Sequence, residues 1–352
     1  MNKVFKLLLF AVCIAFVGCN NQKSVVKIGV IASLTGTGSS AAQYCIDGLE
    51  LALNELNSID NGIKYELVYE DSQSNPSLAG NCFKRLEMQG AKYIIALGGQ
   101  FALVVAPMTK GKNMIYFTTG DYNEAVLSMT DCGLRVFPSA STFGDISAQF
   151  LLDSLRVTRV ATISMNTVPC LQATNRFEDN MRCHGGEIVF QDKYDIGTSD
   201  FKNTIAKMAN TGVQAVFFNG FGISPAAFCS QLAQYPQFDN LIVMGDVNFS
   251  LNSFIDNNNN EKLRIYYADT EMTGDAAQRY YDKYGNRPNS YVSCCYMLPY
   301  LINRAILSSD STADFATQRS VLTGQLITTP AGPIAFDEIG NAQLGMTVFS
   351  LK

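Results

Sequence analysis

The chain has 352 residues, enough for two ordinary domains, and its 47% hydrophobic and 16% charged residues belong to a packed globular protein, not a disordered one. A formal net charge of −5 with no basic run excludes a nucleic-acid surface or a polybasic membrane surface, because phosphate contacts need a density of lysine and arginine that is missing here. One histidine, His184, and the absence of C-x-x-C, G-x-S-x-G and H-E-x-x-H leave little for a metal site, a thiol-redox centre or a hydrolytic triad.

Residues 1–18 stand apart from the rest. Lys3 and Lys6 precede the apolar stretch LLLFAVCIAFVG, too short to span a bilayer comfortably, so the segment reads as an export signal. Gly18 followed by Cys19 is similar to a lipobox, in which the signal is cleaved and the cysteine thiol carries lipid; Phe16 stands where that motif usually has leucine. An ordinary secretory signal or an uncleaved anchor is the alternative. The reading gives a signal at 1–18, a lipidated tether at 19–25, and a protein exported and held by a lipid anchor at the periplasm or the outer cell surface. Loss of Lys3 and Lys6 with the signal moves the formal charge from −5 to −7. Export permits disulfides among the eight remaining cysteines, but their spacing selects no pairing, and most are expected to be small buried hydrophobes.

From residue 25 on, short runs rich in Val, Ile, Tyr and Phe alternate with amphipathic stretches. The strand VVKIGVIA precedes a helix over AAQYCIDGLELALNELN, in which Ile46, Leu49, Ala52, Leu53 and Leu56 fall at helical spacing. The strand YELVYED, a helix opening on Pro76, the strand YIIALGG, a helix over ALVVAPMTKG and the strand MIYFTTGD follow. This order predicts a parallel sheet covered by helices on both faces. After LRVFPSASTFGD the pattern restarts through the strands RVATISM, EIVFQDKY, QAVFFNG and LIVMGD, each separated by a helix, which predicts a second α/β lobe and a cleft between the two. IDNNNNEK is an exposed loop; LRIYYAD, two helical stretches and TTPAGPIAFDEIGNAQLGMTVFSLK complete the chain, the last reading as a hairpin that turns at DEIGN.

The stretch SLTGTGSSAAQ satisfies G-x-G-x-x-G/A with Gly36, Gly38 and Ala41, the fingerprint of a dinucleotide site. Its context does not fit. Ser33, Leu34 and Thr35 separate strand from glycine, and Glu70, the first acid ending the second strand, lies well beyond the ~20 residues that a ribose contact requires. What recurs instead is a loop after each strand rich in Gly, Ser, Thr and Asn with one aromatic: SLTGTGSS, GGQF, TTGDY, NGFG and GDVNFS. Such loops supply N–H groups, hydroxyls and an aromatic wall for a small polar molecule, although each also makes a tight turn. The opening loop is expected to form one lip of the cleft, with Ser33, Thr35 and Ser39 among its contacts.

In order and number, KIGVIASLTG, YELVYEDSQSNP, APMTKGKNMIYFTTG, LRVFPSASTFGD, GTSDFKNTIAKM, QAVFFNGFG, YDKYGNRPNSYVSCCY and TPAGPIAFDEIGNA resemble the type I periplasmic binding proteins, specifically the branched-chain amino-acid family that feeds ABC importers. The resemblance implies two doubly wound α/β parallel-sheet lobes joined by three hinge crossings, lobe one at 26–140 plus 265–324 and lobe two at 141–264 plus 325–352. It implies no catalytic residue, cofactor or metal, a small polar ligand (an amino acid or an amide-like solute), and an ABC permease as partner. A membrane-tethered sensor of the same fold, reporting occupancy to a regulatory partner, is the alternative. Where the family keeps hydroxyls for a ligand carboxylate, this chain has Gly98, Gly99 and Gln100, followed by Phe101, and then Thr118, Gly120 and Tyr122, with Asp121 adding a negative charge. Phe221 replaces an aromatic site residue, Asp246 falls near an acid for the ligand ammonium, and Cys295–Met297 stands where Tyr-Asp is common.

Overall fold

The computed structural model describes residues 24–120, 122–258, 261–309 and 314–351. The expected signal, Cys19, most of the tether and Asp121 lie outside the described residues.

Lobe one begins with β1 (Ser24–Ala32), α1 (Ser39–Ser58), β2 (Ile63–Asp71), α2 (Pro76–Met88), β3 (Tyr93–Leu97), α3 (Gly99–Thr109), β4 (Ile115–Thr119) and β5 (Gly133–Arg135). The five strands form one parallel sheet in the order β2-β1-β3-β4-β5. Helix starts follow side-chain chemistry: Asn75 accepts the Ser77 N–H at the head of α2, where Pro76 supplies a preset φ and lacks the N–H that would be orphaned there.

Lobe two runs through α4 (Ala140–Gln149), β6 (Arg159–Met165), α5 (Val168–Cys183), β7 (Glu187–Tyr194), α6 (Lys202–Met208), β8 (Ala215–Asn219), α7 (Ser224–Leu232), β9 (Ile242–Gly245), α8 (Asn252–Ile255) and β10 (Arg264–Asp269). The chain then returns through α9 (Asp275–Tyr284), α10 (Ser290–Leu307), α11 (Phe315–Leu322), β11 (Leu326–Thr329) and β12 (Gly332–Ala335) before β13 (Thr347–Ser350). The second sheet has the order β13-β10-β9-β8-β6-β7, parallel except for β13.

Both sheets read as near-continuous Val, Ile, Phe and Ala because each is covered on two faces. Against the first sheet, α1 and α10 pack so closely that a Cβ on Gly48 would stand 2.6 Å from the Val292 carbonyl oxygen. Gly144 does the same in lobe two, where a Cβ would come within 2.7 Å of the Ala173 oxygen of α5. No other residue permits these approaches.

Two boundaries differ from the sequence reading. β10 pairs in parallel with β9 and carries Ile265 and Tyr267 into the second core, so the chain returns to lobe one after Asp269 and not near 264. The hairpin belongs to lobe one, not lobe two: Ile327, Ala331, Ile334 and Phe336 bury in the first core beside Leu322. It turns twice: at Pro330–Ala331, since Thr329 pairs with Gly332, and at DEIGN as expected, where the Gly340 N–H bonds the Asp337 oxygen at 3.1 Å and Phe336 pairs antiparallel with Ala342. The chain thus passes between lobes after Arg135, after Asp269 and ahead of Thr347. The eight described cysteines are thiols, all buried except Cys183.

Candidate functional site

In open parallel sheets the strand carboxyl ends face the ligand crevice, and both lobes present such ends toward one another. The opening loop is a scaffold. Asp71, ending β2, accepts N–H bonds from Leu34 at 3.0 Å and Thr35 at 3.2 Å, the Thr35 hydroxyl at 2.7 Å and the Gln73 N–H at 2.8 Å. Burial pushes the Asp71 carboxyl up, but these donors outweigh it and hold the group below the usual range. Thr35 is therefore committed to Asp71, while Ser33 is buried and Ser39 opens α1 half-buried.

After β3, Gly99 and Gln100 form the first residues of α3, Gln100 exposed and Gly99 half-buried. Phe101 is not a cleft wall. Standing on the sheet-facing side of α3, it is 1% exposed and packs with Ile31, Phe83, Ile94 and Tyr116 in the core. After β4, Thr118 is fully buried with no partner for Oγ1, and Gly120 brings its Cα beside the Tyr291 ring, 3.5 Å from where a Cβ would stand.

Tyr122 joins the lobes. Its ring stacks on Phe143 of α4 with centroids 5.8 Å apart and meets Phe137 edge-on at 5.2 Å, while its hydroxyl is buried without a partner. Burial raises this phenol well above its ordinary value, and the charges of Asp246, Tyr291 and Asp269 add to the rise. Across from it, Asp246 follows β9 and is 2% exposed. Its carboxylate accepts the Asn248 backbone N–H at 3.1 Å and the Asn248 amide on both oxygens, at 3.0 and 2.9 Å. Among the described residues it has no cationic partner, and burial pushes its carboxyl up to about 7 against the pull of Asn248.

Sequence reasoning missed Tyr291 and Asn248. Tyr291 sits in the first turn of α10, within 5.6 Å of the Phe137 ring, and reaches the site only because the chain crosses back after Asp269; the Asn289 cap before it was the available signal. Tyr296, inside the CYM stretch, points away: its hydroxyl bonds Glu55, and Arg279 donates to that hydroxyl at 3.1 Å. Phe221 lies 42% exposed on the loop after β8. Tyr122, Phe137, Phe143 and Tyr291 form a packed aromatic cluster where the lobes meet, with Phe137 and Phe143 buried in the cores, and the desolvated carboxylate of Asp246 lies on the lobe-two side.

A family model described as "Periplasmic binding protein" matches residues 25–246. The chain belongs to the periplasmic binding protein family. It is thus a solute-binding protein and not an enzyme. It is 21% identical over 355 residues to the Leu/Ile/Val-binding protein homolog 1 of Brucella suis biovar 1 (strain 1330), covering 97% of this chain and 93% of that protein. Among solved structures, a leucine-binding protein from Thermotoga maritima superposes on this binding protein with a TM-score of 0.81 at 19% identity, covering 93% of this chain and 95% of the other. A solute-binding protein of an ABC transporter from Rhodopseudomonas palustris BisB5, in complex with 3,4-dihydroxybenzoic acid, gives a TM-score of 0.79 at 18% identity, with 93% of each chain covered. These likenesses establish the two-lobed type I fold expected from sequence.

Proposed function

We propose that this chain is the extracytoplasmic, lipid-anchored binding component of an ABC importer that captures an amino acid or a similar small polar solute by closing its lobes. The observation that carries the reading is Asp246: a buried carboxylate with no cationic partner among the described residues, on the lobe opposite the buried, unpartnered hydroxyl of Tyr122. Leaving such a group unpaired is costly, and a ligand ammonium removes the cost.

In this reading Thr118 Oγ1, Gly120 and the free N–H groups of Gly99 and Gln100 at the head of α3 take the ligand's polar end. Ser39 and Phe221 stand at the rim and contact ligand on closure, and Asp121, next to Gly120 in sequence, adds a negative charge. The names of the Brucella and Thermotoga relatives support an amino-acid ligand; the dihydroxybenzoate complex is the reason for leaving the apolar part open.

The test is to denature purified full-length protein and identify the released small molecule by mass spectrometry, then to titrate it back under small-angle scattering. Release of an amine-bearing solute that shrinks the radius of gyration supports the proposal. A solute that leaves the scattering curve unchanged, or a ligand without any amine or amide, overturns it.

A further inference from the structure

A cavity of about 110 Å³ lies beside the hinge, where the chain returns to lobe one after Asp269. Its walls come from both lobes: Tyr44 of α1 on one side, Asn252 and Tyr267 on the other, with the Asn286–Asn289 loop closing it. The Tyr44 hydroxyl accepts the Asn252 N–H at 3.1 Å and ties the two walls together.

The polar groups of this cavity are divided by charge. Inside is Asp269, fully buried; its Oδ1 accepts the N–H groups of Ser290 and Thr270, each at 2.8 Å, while Oδ2 has no partner. Asn286 Oδ1 is a second buried acceptor without a donor, and Asn289 Nδ2 is a buried donor without an acceptor. At the mouth stands Arg287, exposed, its guanidinium 3.3 Å from the centroid of the Phe349 ring and donating to the Tyr267 hydroxyl at 3.3 Å. Arg287 makes no ion pair among the described residues. Stacking holds its planar fork in place, the geometry that suits a carboxylate.

An inner anion with a spare acceptor and an outer cation with a spare donor, in a space that holds several heavy atoms, complement one molecule carrying both charges. We propose that this cavity is a second solute site that takes a small zwitterion, an α-amino acid no larger than glycine or alanine, with its ammonium on Asp269 Oδ2 and Asn286 Oδ1 and its carboxylate on Arg287 and Asn289. Because the walls belong to different lobes, an occupant there sets the angle between them.

The test uses the full chain carrying Asp246→Ala, which removes the carboxylate proposed for the main cleft, and titrates glycine by calorimetry. Saturable glycine binding is expected to survive that change and to weaken about tenfold or more on adding either Asp269→Asn or Arg287→Gln, as loss of one partner of a charge-assisted pair predicts. Asp269→Asn keeps the Oδ1 acceptor for α10, and Arg287→Gln lies on the surface, so both variants fold. Acetate and methylammonium, each carrying one charge, should bind at least about tenfold more weakly than glycine. Equal glycine affinity in the two variants, or no saturable glycine binding with and without Asp246, overturns the proposal and leaves water as the occupant. Neither result touches the main-cleft reading, which depends on Asp246.

Discussion

Tyr291, in the first turn of α10 in lobe one, donates its hydroxyl to Asn248 Oδ1 in lobe two across 3.3 Å. The same Asn248 turns its amide onto both oxygens of Asp246. A hydroxyl on one lobe thereby fixes the amide orientation that steadies a carboxylate on the other, so the site is partly assembled before any ligand arrives.

Changing Asp246 to Ala should weaken an amine-bearing ligand by more than about tenfold, since the ammonium loses its buried counter-charge. Isothermal titration of the solute recovered from the native protein measures this. Unchanged affinity removes Asp246 from the site.

Acidity acts in a definite direction. Folding raises Asp246 to about 7 and Asp269 to about 6, both from 3.8 and both chiefly by burial. The folded chain therefore holds these protons to higher pH than the unfolded one, and the stability they contribute is present below 3.8 and lost as pH rises through 6 to 7. Ligand-free protein should unfold at lower denaturant concentration at about pH 8 than at about pH 5. A ligand ammonium needs ionised Asp246, so its affinity should rise by up to about tenfold per pH unit until about 7, with a proton released on binding. Affinity that falls over this range contradicts the assignment.

Tyr122→Phe retains the stack on Phe143 and deletes only the unpartnered hydroxyl. Ligand affinity should drop several-fold while the melting temperature stays put or rises, because a buried polar atom without a partner is removed. A fall in melting temperature with affinity intact would assign the hydroxyl to the fold.

Gly48→Ala forces a methyl to within 2.6 Å of the Val292 carbonyl and must push α1 from α10, costing about 1–3 kcal/mol. Chemical denaturation reads the loss directly. Wild-type stability would mean that the two helices can separate at no cost.

If Cys19 carries lipid, Cys19→Ser should move the protein to the soluble fraction or leave its signal attached. Labelled palmitate still incorporated by that variant would refute the anchor.

The alternation of apolar runs with amphipathic stretches made both sheets legible, because strands covered on two faces carry their burial in their own residues, as YIIAL and AVFFN do. Of the positions after the strands, Gly120 lies beside the Tyr291 ring and Tyr122 stacks on Phe143 of the other lobe, contacts that a loop's composition does not record. Phe101 was misread because a loop composition cannot say which side of the following helix faces the sheet. Tyr291, Asn248 and Asp269 were missed because they meet across the crossings of the chain, and no local pattern records a contact such as that of residues 248 and 291. The end of the chain misled for a related reason: the hairpin of β11 and β12 stays with lobe one, while β13, soon after it in sequence, pairs with β10 in lobe two.

Seven of the eight described thiols are sealed inside the two cores and one, Cys183, faces solvent. Burial raises Cys229, Cys294 and Cys295, so these sulfurs are neutral as well as hidden. The molecule therefore carries its own gauge of integrity: an alkylating reagent should label a single described site while the chain is folded and the remainder only as each lobe opens. Because Cys45, Cys294 and Cys295 occupy one lobe and Cys170 and Cys229 the other, the order of labelling would tell which half lets go first.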